Sequence, residues 1–214
     1  VLHWLSSKEF DKPSSLKKLS KYDGILIPGG FGETGIDGKL KVIQYAREKK
    51  IPYFGICYGM QLAVIEYARN VLKMKDANTA EIDSEAKELV IDIMPDQKEK
   101  LKDKNYGGSM RLGSYPAKLE KGSIARKAYG TDTISERHRH RYEVNPEYIE
   151  KLSLGDLKFS GTSPDGKLME IAELPTKVHP FFLAVQFHPE FQARPLAPHP
   201  LFTEFIKASV KKKK

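Results

Sequence analysis

The sequence contains a single cysteine, Cys57, among its 214 residues. One cysteine excludes an internal disulfide and any metal site built from several thiolates. No apolar run approaches the roughly 18 residues that span a bilayer, and the first residues lack the pattern of a secretion signal. We therefore expect a single domain over residues 1–214, located in the cytoplasm and without a membrane partner.

A basic stripe with interleaved aromatic residues is also missing, although the formal net charge is +8. Half of that charge comes from the lysines at 211–214, which are typical of a disordered, solvated tail. Nucleic acid is therefore not an expected partner. The charged segment 95–106 is predicted to be a flexible loop.

Short apolar runs alternate with amphipathic helical patterns over the first third of the chain. Strands are predicted at 22–27 and 51–56, and helices at 39–50 and 60–72. This order is typical of a parallel sheet covered by helices. The predicted fold is therefore α/β, with three α/β/α layers, a mainly parallel central sheet and helices on both faces.

The second half of the chain predicts a small antiparallel hairpin region in addition. The sequence Ser-Pro-Asp-Gly at 163–166 is a hairpin signal between two apolar runs. The other predicted elements are an edge strand at 1–5, hairpin strands at 157–162 and 167–173, a strand at 181–187 and a closing helix at 201–210.

Cys57 lies in the turn Gly-Ile-Cys-Tyr-Gly at 55–59, between a predicted strand and a predicted helix. Such a turn holds its middle residue in a strained conformation and pushes that side chain clear of the sheet. A lone cysteine is more often a small core residue, but flanking glycines in this context favour a nucleophile. The helix N-terminus is expected to favour the thiolate.

A cysteine nucleophile needs a base and a group that orients the base. His188 follows an apolar strand, and Glu190 comes two residues later, where its carboxylate reaches the imidazole. A lone histidine at a strand end is more often structural. Together with the poised cysteine, however, these residues predict a Cys57–His188–Glu190 triad.

Other segments predict an oxyanion hole and substrate-binding residues. The Tyr58 amide and the Gly29-Gly30 turn are candidate oxyanion donors. The run Arg-His-Arg-His-Arg at 137–141, as a strand, would place arginines on one face and histidines on the other. An arginine from it would hold a carboxylate bidentately, and Glu81 would bind an amino group, so together they would recognise an α-amino acid.

These motifs resemble those of the class I, triad-type glutamine amidotransferases, and more narrowly the glutaminase domains of CTP synthases. The resemblance covers almost the entire chain and implies the class I amidotransferase fold. The segments that carry it are 28–32, 55–61, 76–79, 107–113, 137–145 and 187–191.

The resemblance implies that Cys57 attacks L-glutamine to release glutamate and ammonia through a thioester, with His188 as base and Glu190 as its orienting partner. It implies an oxyanion hole from the amides of Gly30 and Tyr58, and no metal or cofactor in this domain. The implied glutamine-binding residues are Gly30, Tyr58, Gly59, Met60, Gln61, Glu81 and Arg141.

The family also implies partners outside this sequence. In CTP synthases the ammonia passes to a synthetase domain, which aminates UTP to CTP with ATP and Mg²⁺ in a homotetramer, and GTP is an allosteric activator. The chain contains no Gly-x-x-x-x-Gly-Lys-Ser/Thr phosphate loop. We therefore expect the N-terminal synthetase domain to be absent here and to be supplied in the same or a separate protein.

The sequence departs from the family pattern at two positions. Tyr58 stands where the family usually has leucine after the nucleophile. Thr34 stands where the family has an arginine, in the region associated with GTP activation.

Two alternatives remain open from the residues. Another class I amidotransferase or a γ-glutamyl hydrolase would share the triad, but not the segment 137–145. A non-catalytic regulatory module would retain the fold without turnover.

Overall fold

The computed structural model describes residues 1–93 and 110–211, except the side chain of Lys211. The predicted flexible loop at 95–106 and the lysines at 212–214 lie outside these residues. The first third alternates strands and helices as predicted, in the order β1 (Ile25–Ile27), α1 (Ile36–Glu48), β2 (Tyr53–Ile56) and α2 (Tyr58–Asn70).

The rest of the described chain is richer in strands than the sequence indicates. Its elements are β3 (Ala77–Thr79), β4 (Glu88–Ile93), β5 (Arg111–Leu119), α3 (Ile124–Tyr129), β6 (Thr133–His140), β7 (Tyr142–Val144), α4 (Ile149–Leu152), β8 (Lys158–Thr162), β9 (Met169–Leu174), β10 (Phe182–Val185) and α5 (Pro200–Lys211). The predicted hairpin is confirmed as β8 and β9, and the closing helix as α5. The predicted edge strand at 1–5 is wrong, because residues 1–6 have no regular structure and 3₁₀ helices follow at Ser7–Phe10 and Pro13–Lys21.

A seven-stranded sheet in the order β1-β2-β10-β9-β8-β5-β6 forms the centre of the described fold. Only the pairings of β2 with β1 and with β10 are parallel, while the other four are antiparallel. The prediction of a mainly parallel sheet is therefore wrong. Parallel neighbours need a long crossover, whereas a short turn suffices for a hairpin such as β8–β9, and the strand–helix alternation stops after α2.

Helices cover both faces of this sheet, so the predicted three layers are confirmed. One core contains α1 and α2 side chains such as Ile43 and Val64. The other contains Phe54 and Leu183 from the sheet together with Leu201 from α5. β2 is buried on both sides along its whole length, which explains its continuous apolar sequence.

A second sheet of three strands, β3-β4-β7, lies beside α2. Its strand β3 precedes Glu81, and its strand β7 follows directly after Arg141. This sheet therefore places two predicted substrate-binding residues next to the helix that follows Cys57. Within residues 1–93 and 110–211, no helix is both long and apolar enough to cross a membrane.

Candidate active site

Cys57 occupies the turn between the central strand β2 and helix α2. Its backbone has φ 49° and ψ −100°, a conformation that is strained for any residue with a Cβ atom. Its amide donates to the carbonyl of Val185 at 2.7 Å, and its carbonyl accepts from Met60 at 2.9 Å. The sheet and the helix thus hold the predicted strained turn in place from both sides.

The thiol of Cys57 is buried, with only 5% of the residue exposed. Burial raises its pKa to about 12, and the nearby carboxylates of Glu190 and Glu81 contribute to this rise. The amide of Tyr58 and the side chain of Gln186 donate to the sulfur and oppose the shift. The expectation of a thiolate is therefore wrong, because desolvation outweighs the helix N-terminus.

His188 and Glu190 form a closely bonded pair shortly after β10. The His188 Nδ1 lies 2.6 Å from Oε1 of Glu190, and the imidazole stacks on Phe191 with 4.9 Å between ring centroids. A carboxylate accepts only, so Nδ1 carries a proton, and in the tautomer that this bond selects the lone pair is on Nε2. That Nε2 is buried and has no hydrogen-bond partner among the described residues.

The side chains of Cys57 and His188 both lie close to Gly29. A methyl group placed on Gly29 would stand 2.8 Å from Cε1 of His188 and 3.7 Å from Cβ of Cys57. The two side chains therefore converge on the same glycine from different strands. Only a residue without a side chain fits between them.

Gln186 connects the sulfur to Gln61. The Gln186 side-chain amide donates to Sγ of Cys57 at 3.7 Å, and its oxygen accepts from Nε2 of Gln61 at 3.3 Å. Gln61 also donates to the carbonyl of Tyr142 at 2.9 Å. Sequence reasoning missed Gln186. Its position two residues before His188 was the available signal, since alternate residues of an extended chain share a face.

Two further buried polar atoms lack partners in this part of the described chain. They are Oε1 of Gln61 and Nε of Arg141. Buried polar groups are normally hydrogen-bonded, so such atoms are typical of a surface that binds a polar ligand. An acceptor and a cationic donor complement the ammonium and carboxylate of an amino acid.

The arginine–histidine run alternates as predicted along β6, but Arg141 leaves the pattern. Arg137 and Arg139 are exposed while His138 and His140 are buried. Arg141 lies in the bend between β6 and β7, where it is half-buried. Arg141 therefore does not share the exposure of Arg137 and Arg139, and its Nε is buried.

The two buried histidines belong to a charged cluster under Phe187. Burial and the charge of Arg111 lower the pKa of His138 to about 2 and that of His140 to about 3, so both rings are neutral. Arg111 pairs with Glu170 at 2.8 Å. His138 contacts Tyr115 of β5 and Glu170 of β9. We assign neither histidine as the base.

The Gly29-Gly30 turn lies against Tyr58 and Glu81. A methyl group on Gly30 would stand 3.5 Å from the Tyr58 ring. Gly32, with φ 72°, donates its amide to Oε1 of Glu81 at 2.8 Å. The turn, Tyr58 and Glu81 are therefore neighbours.

Gly59 and Met60 are the two predicted site residues with little side-chain access. Met60 is fully buried in the core, and the carbonyl of Gly59 accepts from the hydroxyl of Tyr53 at 2.9 Å. Any contact of these residues with a ligand has to use the backbone.

Replacing Gln186 with leucine is expected to slow alkylation of Cys57 by iodoacetamide about 3- to 10-fold near pH 8. Loss of the amide donor raises the thiol pKa further, and the thiolate is the reacting form. Mass spectrometry of the modified chain measures the rate. Gln44→Leu is the control, since Gln44 is only half-buried and pairs with Glu48 on α1. Equal rates for Gln186→Leu and the unmodified sequence would contradict the contact.

Comparison with known proteins agrees with this geometry. The family described as glutamine amidotransferase class-I matches residues 4–208. CTP synthases from Carboxydothermus hydrogenoformans and Methanococcus aeolicus are 56% and 53% identical to the chain over 213 and 218 residues. These alignments cover 100% and 99% of the chain, but the chain spans only 39% and 40% of those two relatives.

Two solved structures of similar domains were also compared with this chain. The Trypanosoma brucei CTPS glutaminase domain with bound acivicin is 41% identical, with a TM-score of 0.91 over 99% of this chain and 81% of that one. A Thermoplasma acidophilum protein described as a putative GMP synthase subunit shares the fold at 17% identity, with a TM-score of 0.59 over 92% of this chain and 78% of that one. The chain therefore belongs to the class I glutamine amidotransferase family, and within it to the glutaminase domains of CTP synthases.

Proposed function

We propose that this domain hydrolyses L-glutamine to glutamate and ammonia through the triad Cys57, His188 and Glu190. One observation carries the proposal. The side chain of Cys57 and the Glu190-oriented ring of His188 converge on Gly29, with the buried Nε2 of His188 free to accept a proton.

The first half of the reaction forms a thioester. Because the Cys57 pKa is raised by burial, the thiol does not ionise ahead of the reaction at neutral pH. Nε2 of His188 takes the proton as Sγ attacks the side-chain amide carbon of glutamine. The resulting imidazolium gives that proton to the amide nitrogen, the C–N bond breaks, and ammonia leaves.

Backbone amides stabilise the oxyanion of the tetrahedral intermediate in this proposal. The Tyr58 amide already donates to the sulfur at the start of α2. The Gly30 amide is the second donor, from the neighbouring turn, where a methyl group placed on Gly30 would stand 3.5 Å from the Tyr58 ring. Donors of this kind stabilise the transition state by about 3–4 kcal/mol each in other acyl-transfer enzymes.

The second half of the reaction returns the free enzyme. A water molecule loses its proton to Nε2 of His188 and attacks the thioester carbon. The C–S bond then breaks, glutamate forms, and the Cys57 sulfur recovers the proton from the imidazolium. Glu190 keeps Nδ1 protonated and offsets the charge of the imidazolium in both halves.

Glutamine is held at its α-amino and α-carboxylate groups. Arg141 binds the carboxylate through the guanidinium whose Nε has no partner among the described residues. Glu81 and Oε1 of Gln61 bind the ammonium group. Gly59 and Met60 contribute backbone only, since the Met60 side chain is in the core.

The ammonia serves a synthetase domain that aminates UTP to CTP with ATP and Mg²⁺. The relatives that match this chain over its length are CTP synthases of about two and a half times that length. Adding such a synthetase domain with UTP and ATP to this chain is the direct test of this partner. Ammonia release should then rise, and GTP should raise it further if Thr34 preserves the activation.

The triad is tested by covalent labelling. A diazo-ketone analogue of glutamine should add one label per chain, which peptide mass spectrometry locates on Cys57. Cys57→Ala should take up no label, and saturating glutamine should protect the unmodified sequence. Equal labelling of Cys57→Ala, or a γ-glutamyl peptide being hydrolysed faster than glutamine, would refute the proposed assignment.

A further inference from the structure

The hydroxyl of Tyr58 joins the nucleophile helix to the neighbouring glycine turn. It donates to the carbonyl of Gly32 at 2.7 Å, across 26 residues of sequence. The residue is 1% exposed, although Tyr58 is the first residue of α2 and follows Cys57 directly. Its side chain therefore connects the start of α2 to the turn that contains Gly30.

Gly32 anchors this turn to Tyr58 and Glu81 through two hydrogen bonds. Its carbonyl accepts from Tyr58, its amide donates to Glu81 at 2.8 Å, and its φ of 72° suits glycine. Residues 28, 30 and 31 are exposed, so packing contributes little to their position. The two hydrogen bonds at Gly32 are side-chain contacts that hold the turn.

We propose that Tyr58 is a positioning residue, whose hydroxyl holds the Gly29–Gly32 turn so that the Gly30 amide points at the oxyanion. This inference rests on the proposed glutamine hydrolysis at Cys57. The role is separate from that of the Tyr58 backbone amide, because any residue would supply that amide.

The chemistry of the Tyr58 side chain suits a permanent hydrogen bond to the Gly32 carbonyl, which we call the tether. Burial raises the pKa of the Tyr58 hydroxyl, and the carboxylates of Glu81 and Glu33 raise it further. The group therefore remains a donor throughout the working range of pH. Lys39 lies over the ring, with Nζ 5.2 Å from its centroid, and adds a cation–π contact that holds the ring in place.

The tether acts on the reacting state more than on the bound substrate. Gly30 is two residues from the anchored Gly32, so a loosened turn misplaces an amide that works only when the carbonyl oxygen becomes charged. Glu81 would lose one amide donor but keep its carboxylate for the ammonium of glutamine. The loss should therefore appear in kcat and leave KM nearly unchanged.

Tyr58→Phe tests the tether by removing one oxygen atom. We expect kcat for ammonia release to fall about tenfold with KM changed less than twofold, the size of effect that a lost hydrogen bond produces. Inhibition by the γ-semialdehyde of glutamate, which forms a tetrahedral adduct on the thiol, should weaken by the same factor as kcat/KM. Tyr58→Leu should behave like Tyr58→Phe.

Tyr67→Phe is the matched control on the same helix. The Tyr67 hydroxyl is also buried and accepts from the amides of Asp156 and Leu157 at 2.7 and 3.3 Å, but it does not contact the turn. The Tyr67→Phe variant should therefore have lower thermal stability, but the same kcat and the same semialdehyde inhibition constant as the unmodified chain.

Four outcomes distinguish the tether from the proposed function. Unchanged kcat and semialdehyde inhibition in a folded Tyr58→Phe would overturn the tether, as would an equal loss in Tyr67→Phe. A loss confined to KM would also overturn it, because that result assigns Tyr58 to substrate binding. No ammonia release from the unmodified chain, even with its synthetase partner, would instead refute the proposed function.

Discussion

Replacing Gly29 with alanine is expected to lower kcat for glutamine hydrolysis by about 10²- to 10⁴-fold, the range attributed to a positioned general base. The added methyl group would stand 2.8 Å from Cε1 of His188, closer than real Cβ contacts allow. The imidazole has to move, and its Nε2 is then displaced relative to the thiol of Cys57. A steady-state ammonia assay measures the loss, and circular dichroism checks the fold.

His188→Gln provides the reference for this prediction. If Gly29→Ala acts by displacing the imidazole, the double variant should lose no more activity than His188→Gln alone, because the two changes remove the same interaction. Losses that multiply in the double variant would show that Gly29 acts through another group. Full activity in Gly29→Ala would contradict the placement of His188.

Replacing Arg47 with methionine is expected to lower the free energy of unfolding by about 3–5 kcal/mol. Glu66 on α2 is completely buried and accepts from Nε of Arg47 at 2.9 Å and from Nη2 at 2.7 Å. Methionine retains much of the length of the side chain but leaves the buried carboxylate without its cation. Urea denaturation followed by circular dichroism measures the change.

Two further variants serve as controls for the effect of Arg47→Met on stability. Arg47→Met combined with Glu66→Leu should recover most of the lost stability, since no buried charge then remains unpaired. Lys18→Met removes a cation that pairs with Glu9 at 3.6 Å on the surface, and should cost less than about 1 kcal/mol. Equal losses for Arg47→Met and Lys18→Met would contradict the buried ion pair.

Local patterns in the sequence were sufficient for the elements that carry the nucleophile. The apolar run of β2, the glycine-flanked turn and the start of α2 are contiguous, so residue spacing alone predicts a strand, a strained turn and a helix. The pairing of His188 with Glu190 was also predictable, because the two residues are separated by a single proline.

The direction of the strands was not predictable in this way. The first strands and helices indicate a parallel sheet, and that part holds for β1, β2 and β10. The antiparallel remainder depends on how long segments return across the sheet, which local periodicity does not encode. Similarly, alternation along β6 places Arg137 and Arg139 correctly but not Arg141, because Arg141 lies in a bend where the chain leaves β6 for β7 in the other sheet.

The sequence by itself determined which residue types meet at the candidate site: a cysteine in a glycine turn, a histidine beside a glutamate, and an arginine-rich segment. Only the tertiary structure decided their chemical state and their contacts. The Cys57 thiol is protonated because neighbours from several elements remove water from it, and desolvation is a property of the whole surrounding volume. The contacts of Gln186 with the sulfur and of Tyr58 with Gly32 join segments that only the folded sheet brings together.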